Sequence, residues 1–112
     1  MFNLSTTQAW GLLAIAGALE IAWAVGMKYT DGFSRPLPSL IVLAVALLSF
    51  WLLALAMKVL PVGTAYAAWV GIGAAGAAIL GIVLFDEPAT AARIACIVLI
   101  VAGVLGLKLL HD

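Results

Sequence analysis

Ionisable side chains divide the chain into four long apolar runs. The first extends from about Gln8 to Met27, the second from Pro36 to Met57, the third from about Val62 to Phe85 and the fourth from Ala92 to Leu110. Each is close to the roughly 20 residues that a helix needs to cross about 30 Å of hydrocarbon. Turn-forming residues separate the runs: Asp31 and Gly32 in the first linker, Pro61 after Lys58 in the second, and Asp86, Glu87 and Pro88 in the third. Pro36 and Pro38 fall where a helix begins, and a missing amide donor is tolerated there. Lipid admits only helices and closed barrels. Barrel strands would read as alternating segments of about ten residues, whereas these runs are longer and do not alternate. The expected fold is therefore all-α and membrane-integral. A single domain over residues 1–112 is predicted to hold four transmembrane helices at about 8–27, 36–57, 62–85 and 92–110. Four crossings place both termini on one side.

Composition strengthens this reading. The sequence is 67% hydrophobic and 9% charged, whereas a soluble domain is about 45–50% apolar and about 25% charged. The formal net charge is zero, so charge gives no case for a nucleic-acid partner. Cys96 is the single cysteine and forms no internal disulfide. Residues 1–8 carry no Lys or Arg, unlike the basic start of a secretory signal. The first run is accordingly read as part of the mature protein. Lys28, Arg35 and Arg93 fall in loops one and three, while Lys58 and Lys108 fall in loop two and at the C-terminal end. Three cations against two give the positive-inside rule almost nothing to act on, so insertion in both orientations is expected. The alternative is a fixed topology set by other features. No internal repeat is evident. Alternating access often rests on two inverted halves, and a second, oppositely oriented copy would supply the missing one.

Glu20 is the ionisable residue deep inside a run, whereas Arg93 and Lys108 lie at the ends of the fourth. At about 1.5 Å per residue it sits deep in the bilayer, where a charged carboxylate costs at least ~2.5 kcal/mol and normally faces a cavity or a partner. No Lys or Arg lies at similar depth. Such a carboxylate is suited to bind a cation, a proton, or each in turn; the alternative is a protonated Glu in a structural hydrogen bond between helices. Trp23 follows on the same helix face, with Ala16 and Gly17 one turn back, and lies nearer mid-membrane than an interfacial Trp would. Tyr66 and Trp69 form a second i, i+3 pair. Their rings offer π faces to a cation and donors to a carboxylate, or a packing stripe. Ser49, midway along the second run, is either a site donor or bonded to its own helix backbone.

Gly73, Ala77 and Gly81 recur at every fourth position and would let another helix approach closely. Gly71 and Gly73 also weaken the third helix and could form a bend. Ala102, Gly103 and Gly106 make a similar small-residue surface on the fourth. There is no Ser/His/Asp set, no phosphate-binding glycine loop and no metal cluster, so neither an enzyme, a metal nor a cofactor is expected. His111, one residue from the end, is read as solvated.

At this point the residues resemble a known family. Residues 20–35, from Glu20 through Trp23, Lys28, Asp31 and Gly32 to Arg35, are similar to the first helix and loop of the small multidrug resistance transporters. Residues 61–74, with Pro61, Gly63, Tyr66, Trp69, Gly71 and Gly73, are similar to their third helix. The similarity covers nearly the whole chain. Trp23 resembles the guanidinium-exporting subtype, as do Met57 and Lys58 and the stretch Gly106 to Leu109. Exporters of polyaromatic cations carry a small residue at the position of Trp23.

The resemblance implies an antiparallel homodimer of eight helices, inserted in both orientations in a bacterial inner membrane and exchanging protons for cations. Glu20 would be the shared substrate and proton site, and Trp23, Ser49, Tyr66 and Trp69 its hydrogen-bond network. Gly71, Gly73 and Gly76 would let the third helix bend differently in the two protomers. Ala102, Gly103 and Gly106 would carry the main dimer contact; Cys96, seven residues before Gly103, replaces a Gly found in some relatives. Guanidinium suits such a site, since it is planar, permanently charged and held bidentately by a carboxylate. Protons and cation would compete for one pair of mutually repelling carboxylates. Two alternatives stand beside guanidinium export: a quaternary-ammonium or multidrug exporter of the same family, and a structural subunit of a membrane complex.

Overall fold

Ser5 sets the start of the first helix. The Gln8 amide donates to Ser5 Oγ at 3.1 Å and the Ser5 amide donates to Gln8 Oε1 at 3.0 Å, a reciprocal cap that satisfies orphan donors at both positions. Helix α1 therefore spans Thr6–Lys28 and begins two residues before the hydrophobic run. The computed structural model describes residues 4–110; His111 lies outside them. Helix α2 spans Pro36–Ala56, with proline in its first turn, α3 spans Val62–Phe85, and α4 spans Ala91–Leu110. Asp86 ends α3 in the left-handed region at φ 53°. Thr90 Oγ1 accepts from the Arg93 amide at 3.2 Å and starts α4.

All four helices are long and apolar enough to cross a membrane, and among the described residues there is no strand. The 23 residues of α1 extend roughly 34 Å at the helical rise. Many large apolar side chains stay on the outside, among them Leu37, Leu40 and Leu47 of α2 and Leu99 and Leu109 of α4. In water such a surface would aggregate; in a bilayer it is the lipid-facing and helix-packing surface.

Helix α1 is the centre of the chain and packs on both α2 and α3, whereas α4 packs on α3. The core forms around Ala9, Leu13 and Ala16 of α1, Leu53 and Ala56 of α2, and Ala65, Ala68 and Trp69 of α3. Small residues at these positions bring the helix backbones close, as lipid-embedded packing requires. A Cβ added at Gly17 would strike Ile72, and one at Gly76 would strike Ile21, so α1 and α3 are joined by glycine on each side of their contact. The result is a flat body with Cα extents of 40 × 37 × 17 Å, and Ile97 is the one buried residue of α4 among those described.

The loops are ordered by their own side chains. Thr30 is buried in the first loop, where its hydroxyl donates to the Met27 carbonyl at 2.7 Å and accepts from the Phe33 amide at 3.0 Å. Lys28 Nζ lies 5.1 Å from the centre of the Phe85 ring, and Tyr29 packs on the same ring at 5.7 Å. Arg93 forms an ion pair with Glu87 in the third loop.

Candidate functional site

The candidate residues come from three helices and meet along the middle of α1. Ser49 is fully buried and does not bond its own helix. Its hydroxyl crosses to α1 and donates to the Ala16 carbonyl at 2.7 Å. The same oxygen accepts the Trp69 indole N–H at 3.0 Å. One hydroxyl thus ties α2 to the backbone of α1 and the side chain of α3, one turn from Glu20. Ser49→Ala removes both bonds and leaves the buried Trp69 N–H without its acceptor, which costs about 1–3 kcal/mol. The expected outcome is a lower melting temperature in detergent and a more mobile Trp69; unchanged indole fluorescence and stability would show the bridge to be dispensable.

An aromatic chain continues from this bridge. Phe50 stands edge-on to Trp69, with ring centres 5.7 Å apart, and edge-on to Trp23 at 6.0 Å. Tyr66 lies tilted beside Trp69 at 5.7 Å and is exposed. Phe50 was not among the candidates from the sequence. Its position next to Ser49 was the available signal, but hydropathy does not separate a Phe facing lipid from one facing a neighbouring helix.

Glu20 and Trp23 stand apart from the Ser49–Trp69 bond. Glu20 Oε1 and Trp23 Nε1 are both buried, and neither has a hydrogen-bond partner among the described residues. An unmade bond at a buried polar atom is costly, so two of them one helical turn apart make this pair the candidate site. The two atoms are complementary: a carboxylate oxygen accepts and an indole N–H donates. Among the described residues no group of three or more His, Cys, Asp or Glu side chains converges in a way that could hold a metal ion.

The glycines of α3 lie against different neighbours. A Cβ at Gly71 would meet Val104 of α4, one at Gly73 would meet the Glu20 carboxylate, and one at Gly76 would meet Ile21. Helix α3 runs unbroken through all three positions. On α4, Ala102 and Gly103 are exposed and Gly106 is half-buried. A Cβ at Gly103 or Gly106 would meet nothing within 4 Å.

Four membrane-spanning helices, three of which contribute a carboxylate with a buried oxygen and its aromatic neighbours, define a multi-pass helical membrane protein with a polar centre. Comparison with known proteins identifies the group. The family model described as Small Multidrug Resistance protein matches residues 8–100. The chain is 60% identical over 102 residues to the guanidinium exporter of Escherichia coli, covering 91% of this chain and 97% of that one. It is also 60% identical over 102 residues to the guanidinium exporter of Yersinia pestis, covering 91% and 98%, and 59% identical to that of Salmonella typhi, covering 91% and 97%. The chain belongs to the small multidrug resistance family, and it is a membrane transporter rather than an enzyme.

Proposed function

We propose that this protein exports guanidinium and small guanidinyl cations in exchange for protons, as an antiparallel homodimer in the bacterial inner membrane. The observation that carries the proposal is Glu20, a carboxylate midway along a membrane helix, with a buried oxygen that no described residue satisfies. Guanidinium offers that oxygen paired N–H donors and a permanent charge. A proton offers the alternative way of satisfying it. Cation and proton exclude each other at one group, and exclusion combined with alternating access produces exchange. The names of the relatives support the choice of cargo. Trp23 supports it as well, because its unpartnered indole N–H, one helical turn from Glu20, is a further donor for the carboxylate.

The flat shape of the chain supports a second copy. Glu20 is only partly buried, Tyr66 is exposed, and α4 carries open space above Gly103 and Gly106. Two such bodies placed face to face would enclose the carboxylates between them and give α4 a packing surface. The direct test is exchange in proteoliposomes. Guanidinium loaded inside should leave down an inward proton gradient, and tetraalkylammonium ions should leave more slowly. Exchange of tetraalkylammonium in preference to guanidinium would move the protein to the multidrug branch, and no exchange of either ion would favour a structural subunit.

Trp23 gives a narrower check. Trp23→Gly removes the donor and opens the space beside Glu20. Guanidinium transport should fall roughly tenfold, the worth of one hydrogen bond to a charged group, while aromatic cations gain entry. Unchanged guanidinium transport in this variant would remove the indole from the account of selectivity.

A further inference from the structure

Gly73 has a specific neighbour. A Cβ built there would overlap Glu20 at Oε1, Cδ and Cγ. Oε1, Cδ and Cγ of Glu20 therefore lie close against the α3 backbone, in space that any other residue at 73 would fill. The neighbouring glycines do not share this relation: Gly71 faces Val104 and Gly76 faces Ile21, both apolar. Gly73 is itself buried, so the contact is internal to the chain and does not wait on a partner.

We infer that Gly73 is a positioning residue for the cation and proton site, a notch in α3 that seats the Glu20 carboxylate. The inference rests on the reading of Glu20 as that site and goes further by tying its chemistry to α3. While the carboxylate is seated, one edge of it is covered by helix backbone, and only the remaining directions are open to a cation or to water. A movement of α3 at this point uncovers the group or presses on it. The position of α3 thus sets how accessible Glu20 is, and occupancy of Glu20 in turn favours one position of α3, because coupling between two states is reciprocal. The notch supplies a contact through which binding at α1 reaches α3 without any hydrogen bond between them.

The test compares three variants of the full-length protein in detergent and in proteoliposomes. The readouts are guanidinium affinity and the pH midpoint of guanidinium-induced proton release. Gly73→Ala places a methyl in the notch and displaces the carboxylate, a flexible side-chain end that can move. Affinity should fall at least about tenfold, equivalent to about 1.4 kcal/mol, and the pH midpoint should move. Gly76→Ala crowds the same α1–α3 contact through Ile21. It should slow transport and leave the midpoint in place, because a merely structural disturbance does not alter the environment of the carboxyl group. The double variant Gly73→Ala with Glu20→Asp shortens the side chain under the new methyl. It should bind guanidinium better than the sum of the two single effects predicts, a coupling that contacting residues show and distant ones do not.

Equal midpoints in Gly73→Ala and the unaltered protein, or equal shifts in Gly73→Ala and Gly76→Ala, would overturn the inference while leaving Glu20 as the site. Additive effects in the double variant would also overturn it. Should Gly73→Ala fail to fold, recovery of the fold by Glu20→Asp supports the contact, and failure of both variants refutes it. A Glu20→Gln protein that still exchanges protons removes the underlying reading itself, a result separable from all of these.

Discussion

Glu20→Gln is expected to abolish proton-coupled guanidinium exchange while leaving the protein folded. Glutamine has the shape and much of the hydrogen-bonding capacity of glutamate but cannot ionise. The carboxyl group takes part in no ion pair or described hydrogen bond at Oε1, so its neutralisation breaks no bond at that atom that holds α1 in place. An uncharged side chain is also the less costly one in hydrocarbon. Stability should therefore stay the same or rise, which separates loss of function from loss of fold. Transport should drop to the level of empty liposomes, because both the charge that attracts guanidinium and the exchangeable proton are gone. Guanidinium added to the solubilised native protein should release protons, and the variant should release none. Glu20→Asp should keep exchange at a lower rate, since the charge remains on a shorter stem that no longer reaches the α3 backbone. Proton-for-guanidinium exchange in the Gln variant would return Glu20 to the role of a structural hydrogen bond between helices.

The sequence made the architecture legible because lipid reduces the question to one of length. Runs of the right length imply four helices, and four are present. Their ends were less legible. The reciprocal bonds of Ser5 and Gln8 lengthen α1 beyond the run that hydropathy marks, because a polar cap contributes nothing to hydropathy. Glu20 was legible as a single charge in an apolar run, and the resemblance of residues 20–35 and 61–74 to a known family is matched by the family model. Its surroundings were not. Ser49 bonds Ala16, 33 residues away in the chain, where the sequence offered a site donor or a bond to its own helix backbone. Gly71, Gly73 and Gly76 of α3 read alike in sequence as small residues of one helix, yet each faces a different partner. Side-chain periodicity tells which residues share a face. It does not tell what that face meets, and Phe50 and Gly73 gain their meaning from α1.

Locking the chain in one orientation should remove transport, and mixing two oppositely locked forms should restore it. The cations of the native sequence divide three against two between the two sides. Orientation follows the Lys and Arg count of short loops, and acidic residues weigh little, so the Arg93–Glu87 pair leaves that count unchanged. Ser34→Lys with Ala89→Lys, both at exposed loop positions, would change the division to five against two. Val59→Lys and Leu110→Lys, also exposed, combined with Arg35→Ser, would change it to two against four. None of these residues touches Glu20 or the Ser49–Trp69 bridge. Each variant alone should insert one way, as C-terminal reporters on the two sides of the membrane would record, and should confer little guanidinium export. An antiparallel pair needs both orientations, and a population of one orientation can form only parallel pairs. Co-expression supplies the missing orientation and should return export to a large fraction of the native level. The physical basis is the flat single chain, whose α4 buries only Ile97 among the described residues. Full export by either locked variant alone would refute the antiparallel assembly, and the second half of the transport pathway would then have to come from a parallel pair.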